Sequence, residues 1–189
     1  LKKIIPEIML NTYRKIRRKA DYKKIHSRMK NLTLSQKFDY IYKNKFWGSG
    51  IDKKFYSGVG SHDLKIINPY IEIVKKFLTK LSNPVVADLG CGDFNIGSQI
   101  LHLTKKYYGI DIVEDLINFN KENFKNENLV FSKLDITNDI LPEADVCLVR
   151  QVLQHLSNKD ILSFIKNIDG KYKFLIVTEH LPKGNFKVV

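Results

Sequence analysis

Cysteine is scarce. The chain has two, Cys91 and Cys147, in 189 residues. Two isolated cysteines exclude a disulfide framework and fit a reducing compartment, so a cytoplasmic location is expected. No apolar run approaches the ~20 residues that a membrane-spanning helix needs. The basic start is not followed by an unbroken apolar stretch and a small-residue cleavage site, so no secretory leader is expected. Acidic residues are nearly absent from the first thirty positions. Eleven Lys and Arg there face only Glu7 and Asp21, and the segment carries +9 of the chain's net +12. Such an arm can bind nucleic acid, anionic lipid or an acidic polymer; a solvated basic helix reads equally well.

What is present is a globular balance, with 43% hydrophobic and 28% charged residues. One domain with a sizeable core and an extension is expected. The boundaries read as a basic helical arm over 1–32, a helix and loop over 33–67, and an α/β domain over 68–189. Thr33 or Ser35 can cap a helix over 33–46. The loop that follows, residues 46–61, holds four of the ten glycines and the only tryptophan, Trp47. Flexible backbone interleaved with large rings suits a lid or wall over a ligand.

Asn68-Pro69 reads as the opening of the next helix, with asparagine as cap and proline at the first helical position. From residue 85 onward strand and helix patterns alternate. Strands are expected over 85–89, 107–111, 129–136, 145–149 and 172–178. Helices are expected over 94–104, over 113–124, and after Ser157, the last with Ile161, Leu162, Phe164, Ile165 and Ile168 inward. The alternation predicts an α/β fold of Rossmann-like type, a mostly parallel sheet with helices on both faces.

The chain is organised around Val85-Val86-Ala87-Asp88-Leu89-Gly90-Cys91-Gly92-Asp93-Phe94-Asn95, a strand, a glycine turn and an expected helix start. Such a corner makes a nucleotide-sized pocket in open α/β sheets. A dinucleotide fingerprint would place a third glycine at position 95, where this chain has Asn95. Asp88 suits an α-amino group. Asp111, nineteen residues after Gly92, suits two ribose hydroxyls. Asp135 and the Ile136 amide suit an adenine ring. Three acids at successive strand ends fit S-adenosylmethionine better than a dinucleotide, which explains Asp111 alone. The fourth strand delivers Arg150, Gln151 and His155.

At these residues the chain resembles the class I S-adenosylmethionine-dependent methyltransferases, over roughly residues 68–180. The matching pieces are Ala87-Asp88-Leu89-Gly90-Cys91-Gly92, Gly109-Ile110-Asp111, Leu134-Asp135-Ile136 and Val152-Leu153-Gln154-His155-Leu156. Within that superfamily it is similar to a group found among bacterial capsule and surface-glycan genes, through Ile41-Tyr42-Lys43-Asn44, Phe46-Trp47-Gly48, Ser57-Gly58-Val59-Gly60-Ser61 and Cys91-Gly92-Asp93-Phe94-Asn95. The resemblance implies S-adenosylmethionine as cofactor, S-adenosylhomocysteine as product, and no metal. It implies a cofactor site of Asp88, Gly90, Cys91, Gly92, Asp93, Asn95, Asp111, Ile112, Asp135, Ile136, Arg150, Gln151, Trp47 and Ser61.

Phe94 stands where a further glycine is common, which either tightens the loop or puts a ring against the pocket. The superfamily's sheet runs on to a sixth and seventh strand, so C-terminal strands are expected to be missing here. The expected activity is O-methylation of a small-molecule, sugar or phosphoramidate-type acceptor in capsule or surface-glycan biosynthesis; the acceptor is expected to be anionic. His155 is the candidate base and Arg150 the candidate orienting group. Two other readings stand beside it: a nucleic-acid methyltransferase that uses the basic arm, and a non-catalytic S-adenosylmethionine-binding module.

Overall fold

The computed structural model describes residues 27–50 and 54–180. The basic arm as far as residue 26 lies outside the described residues, as do 51–53 of the loop and 181–189. Two units are distinguished, 1–37 and 38–189. In the first, Thr33 Oγ1 accepts the Gln36 N–H at 3.3 Å and Gln36 Oε1 accepts the Thr33 N–H at 2.9 Å. This reciprocal cap starts helix α1 (Leu34–Lys43), so of the two expected caps Thr33 is the one used.

In the second unit, five strands form one sheet: β1 (Val85–Leu89), β2 (Lys106–Asp111), β3 (Leu129–Lys133), β4 (Ala144–Arg150) and β5 (Tyr172–Thr178). Their spatial order is β3-β2-β1-β4-β5. Every pairing is parallel, with Asp88 opposite Gly109 on β2 and opposite Leu148 on β4. The order reverses between β1 and β4, which opens a crevice at their carboxyl ends. The third strand stops at Lys133, short of the expected 136. Beyond it the Asp135 side chain accepts from the Thr137 N–H and so turns the backbone away from the ladder.

Helix α2 (Leu64–Lys80) buries Ile67, Ile71, Val74 and Leu78. It begins earlier than Asn68-Pro69. Asp63 is the cap, and its side chain accepts the Lys65 N–H at 2.9 Å. Pro69 therefore lies inside the helix, at the expense of one backbone bond, because burying Ile67 extends the apolar stripe by a turn. Helix α3 (Glu114–Asn123) supplies Ile117 to the same core layer. Helix α4 (Asn158–Ile168) starts at a Ser157/Asp160 capping box and places Phe164 in the layer on the other face. Leu162 and Ile165 are 61% and 51% exposed, so two of the five expected inward residues face outward.

The expected helix over 94–104 is absent. Two short 3-10 turns, Gly97–Gln99 and Leu101–Leu103, replace it. The cause is Phe94. Its φ is +60°, a left-handed conformation that breaks a helix start. Its ring is fully buried and meets Tyr107, Phe124 and Phe131 edge-on at centroid distances of 5.5, 5.1 and 4.8 Å. The ring therefore belongs to the core beneath the loop rather than to a pocket wall. No helix among the described residues is long and apolar enough to cross a membrane.

Candidate functional site

The glycine turn is held from below by β2. Ile110 O accepts both the Gly90 and the Cys91 N–H, at 2.8 and 2.9 Å. Gly90 and Gly92 have φ of +87° and +56°. A Cβ at Gly90 would collide with Val152, and one at Gly92 would press on the Ser57 hydroxyl. Both positions thus need glycine for conformation and for space. The Cys91 side chain turns into the core and burial pushes its thiol well up, so only its backbone borders the turn.

Asp88 ends β1 almost fully buried and accepts the Tyr107 hydroxyl at 2.8 Å. Burial pushes its carboxyl up to about 6, against the opposing pull of the Tyr107 bond. Asp111 ends β2; its Oδ2 accepts the Gly92 N–H and its Oδ1 the Val113 N–H, both at 3.1 Å. Burial raises it to about 6, and bonds from Val113, Gly92 and Ile112 work the other way. Asn120 of α3 donates to Gly92 O at 2.8 Å, and its own buried Oδ1 has no hydrogen-bond partner.

Asp135 sits where the third strand's end was expected, but its Oδ1 is engaged by the Thr137 N–H and hydroxyl at 2.9 and 2.7 Å. Ile136 is buried in the α4-side core and its carbonyl accepts from Asn167 at 3.0 Å.

The second half of the aromatic loop, with His62 just after it, lies directly on the glycine turn. Asp93 Oδ2 accepts the Ser57 N–H at 3.1 Å and bonds His62 Nε2 at 2.6 Å. Ser57 Oγ accepts the Asp93 N–H at 2.8 Å and shares a hydrogen bond with the Tyr42 hydroxyl at 2.9 Å. Tyr56 stacks on His62 with centroids 4.4 Å apart. Asn95 donates to Ser61 O at 2.7 Å, joining two residues singled out from sequence.

Arg150 and Gln151 hold the same segment from β4. Arg150 Nη2 donates to Gly60 O at 2.7 Å, and its guanidinium lies 5.1 Å from the Tyr70 ring centroid. Burial lowers its pKa, and its buried Nε has no hydrogen-bond partner. Gln151 takes φ +55°, donates its N–H to Thr178 O, and packs its side chain against Gly60.

His155 closes the 3-10 turn Leu153–His155 after β4. Its ring lies 5.1 Å from Trp47 and 6.3 Å from Phe38, and burial against these rings lowers its pKa. The structure therefore gathers the predicted residues into two groups. Asp88, Gly90, Gly92, Asp93, Asn95, Asp111 and Ser61 surround the turn; Arg150, Gln151, His155 and Trp47 lie at the β4 end. Sequence reasoning missed Tyr42, Ser57, His62, Tyr70, Asn120 and Glu179. Glu179 carried a signal, since it directly follows the fifth strand. Among the described residues no three His, Cys, Asp or Glu side chains group to hold a metal ion.

The carboxyl edge of the sheet thus gathers two glycines that admit no side chain, a buried and a half-buried carboxylate at two strand ends, and a guanidinium nitrogen with no hydrogen-bond partner. Residues 87–172 match the model of a methyltransferase domain family. An uncharacterised RNA methyltransferase of Chlamydia caviae is 40% identical over 63 residues, which is 32% of this chain and 16% of that protein. The chain thus spans about a sixth of that relative's length. Magnesium protoporphyrin IX methyltransferase of Synechocystis PCC 6803, solved with bound SAM, superposes with a TM-score of 0.56 at 19% identity, covering 78% of this chain and 77% of that one. The methyltransferase domain of a bacterial Hen1 (CtHen1) gives a TM-score of 0.51 at 20% identity, covering 59% and 65%. Residues 87–172 thus match a methyltransferase-domain model, and the sheet around them has the fold of solved methyltransferases, one of them holding SAM.

Proposed function

We propose that this methyltransferase domain serves a protein that O-methylates an anionic small-molecule, sugar or phosphoramidate-type acceptor in capsule or surface-glycan biosynthesis. The observation that carries the methyl-transfer part is the placing of buried Asp88 and half-buried Asp111 on either side of the glycine turn, beside the β1/β4 crevice. In this reading Asp111 holds the ribose side of the cofactor and Asp88 the amino-acid side, with Asp135 and Ile136 toward the base. The bound cofactor supplies a methyl group already activated by its sulfonium, so the protein's task is mainly to position and to exclude water. Arg150 directs its unsatisfied Nε toward an anionic group of the acceptor. His155, whose pKa is lowered by desolvation beside Trp47 and Phe38, accepts the proton of an acceptor hydroxyl. The glycan assignment rests on the sequence resemblance alone; the pieces that carry it touch each other, Ser57 bonding Asp93 and Ser61 bonding Asn95.

Calorimetry with S-adenosylmethionine tests the cofactor site. Formation of S-adenosylhomocysteine with hydroxylated and phosphorylated sugars tests the acceptor class. In His155→Ala, turnover is expected to fall about 100-fold, within the range of general-base catalysis, with cofactor affinity unchanged. Equal turnover in the variant removes His155 from the mechanism. Cofactor binding with no transfer to any acceptor would instead favour the binding-module reading.

A second reading is favoured by the 63-residue match to an RNA methyltransferase and by the basic arm. Affinity for a short RNA is then expected to fall steeply between 50 and about 200 mM salt, because phosphate contacts release counterions. A flat salt response or no binding eliminates it.

A further inference from the structure

The fifth strand ends at Thr178, and the next residue reaches back across the β4 end. Glu179 Oε1 accepts the N–H groups of Val152 and Leu153, both at 2.9 Å, and Oε2 accepts that of Gln154 at 3.4 Å. These three consecutive amides open the turn that carries His155, itself closed by the His155 N–H to Val152 O at 3.0 Å. Amides at the start of such a turn have no partner within it, so without the carboxylate they would need another acceptor. Val152 is also the residue against which Gly90 packs, so the turn has little freedom to shift.

The surroundings of the His155 ring are uneven in charge. Phe38 from α1 and Trp47 from the segment after it present neutral rings, and Gln154 from the same turn presents an amide, its Nε2 3.3 Å from His155 Nε2. Among the described residues Glu179 is the charged group that acts on the imidazole.

We infer that Glu179 is a positioning residue: its carboxylate fixes the Val152–His155 turn and thereby holds the His155 imidazole, between Trp47 and Phe38, in the orientation needed to take a proton from the acceptor. The inference rests on the reading of His155 as the base. A carboxylate so placed also favours the protonated ring formed when the proton is taken.

Trp47 is the only tryptophan, and its ring is beside His155, so its emission reports on the imidazole. A protonated imidazole quenches indole emission more than a neutral one. In the wild type, emission is expected to change in a single step between pH 5 and about 8, the range where histidine titrates. His155→Ala abolishes that step. Glu179→Gln moves its midpoint down, because an opposite charge is lost. The same variant lowers kcat at least about 10-fold, with the affinity for S-adenosylmethionine unchanged by calorimetry, and Glu179→Asp recovers part of the loss. An unshifted midpoint with unchanged kcat in a folded Glu179→Gln overturns the inference. If Glu179→Gln does not fold, Glu179→Asp decides by the same two readouts. Failure of the wild type to bind S-adenosylmethionine overturns the methyl-transfer reading, and the fluorescence midpoint still decides whether Glu179 acts on His155.

Discussion

Replacing Phe94 with alanine is expected to lower the unfolding free energy by about 3–5 kcal/mol, the usual cost of emptying a buried phenylalanine site. The ring is fully buried against three other aromatic rings, and Gly97 leaves it no slack on the remaining side. Alanine would still carry the left-handed backbone conformation that Phe94 adopts at φ +60°. Phe94→Gly is therefore the informative companion. It loses the same ring but relaxes the backbone, and should recover only about 1 kcal/mol of the loss. Urea denaturation of the two variants measures both quantities. A loss below about 1 kcal/mol in Phe94→Ala would show that the ring does not support the glycine turn. Domains of this size are stable by only about 5–15 kcal/mol, so the expected loss is a large fraction of the whole.

The second expected result has opposite signs for stability and for binding. Asp88→Asn should stabilise the cofactor-free protein at neutral pH by roughly 2–3 kcal/mol, yet weaken S-adenosylmethionine binding. The carboxyl of Asp88 is pushed up to about 6 by burial, from an ordinary value of 3.8. The folded state then holds a proton that the unfolded chain has already released between those two values. Stability is highest below that window and falls as pH rises through it. Above about 6 the folded protein carries a buried charge, and asparagine removes that charge while still accepting the Tyr107 hydroxyl. The wild type should lose stability from pH 4 to about 6.5 through this group, and the variant should lose less. Thermal unfolding across that range, with calorimetry at pH 7.5, tests both halves. An Asp88→Asn protein that is less stable at neutral pH would contradict the stability half; unchanged affinity would contradict the assigned contact.

The legible parts of the fold were those fixed by local pattern. The five strands, the parallel sheet and the crevice follow from alternating apolar runs that end in Asp88, Asp111 and Arg150. The errors arose where a distant contact outweighed a local preference. Asn68-Pro69 is a good helix start by local rules, but burial of Ile67 and the Asp63 cap moved it a turn earlier. The apolar spacing of 94–104 suits a helix, yet Phe94 drops into a cage of rings from β2, β3 and the end of α3. In the site, strand-end acids could be read because topology gathers them at one edge. The bonds of Asp93 to Ser57 and His62 could not, since they span 36 and 31 residues. Asp135 was found by position, but its local bonds to Thr137 were not foreseen.

The two short turns that follow the glycine corner have an electrostatic consequence. A long helix there would aim the positive end of its dipole at the ligand, as phosphate-binding folds do. Here that contribution is slight, and the carboxylates of Asp88 and Asp111 lie at the strand ends beside the turn. A pyrophosphate would meet repulsion, whereas a positively charged sulfur would be drawn in. Once the methyl group has left, that sulfur is neutral and the attraction is weaker. On the proposed reading the site would hold the sulfonium cofactor more tightly than its neutral product, a difference that calorimetry with the two compounds measures.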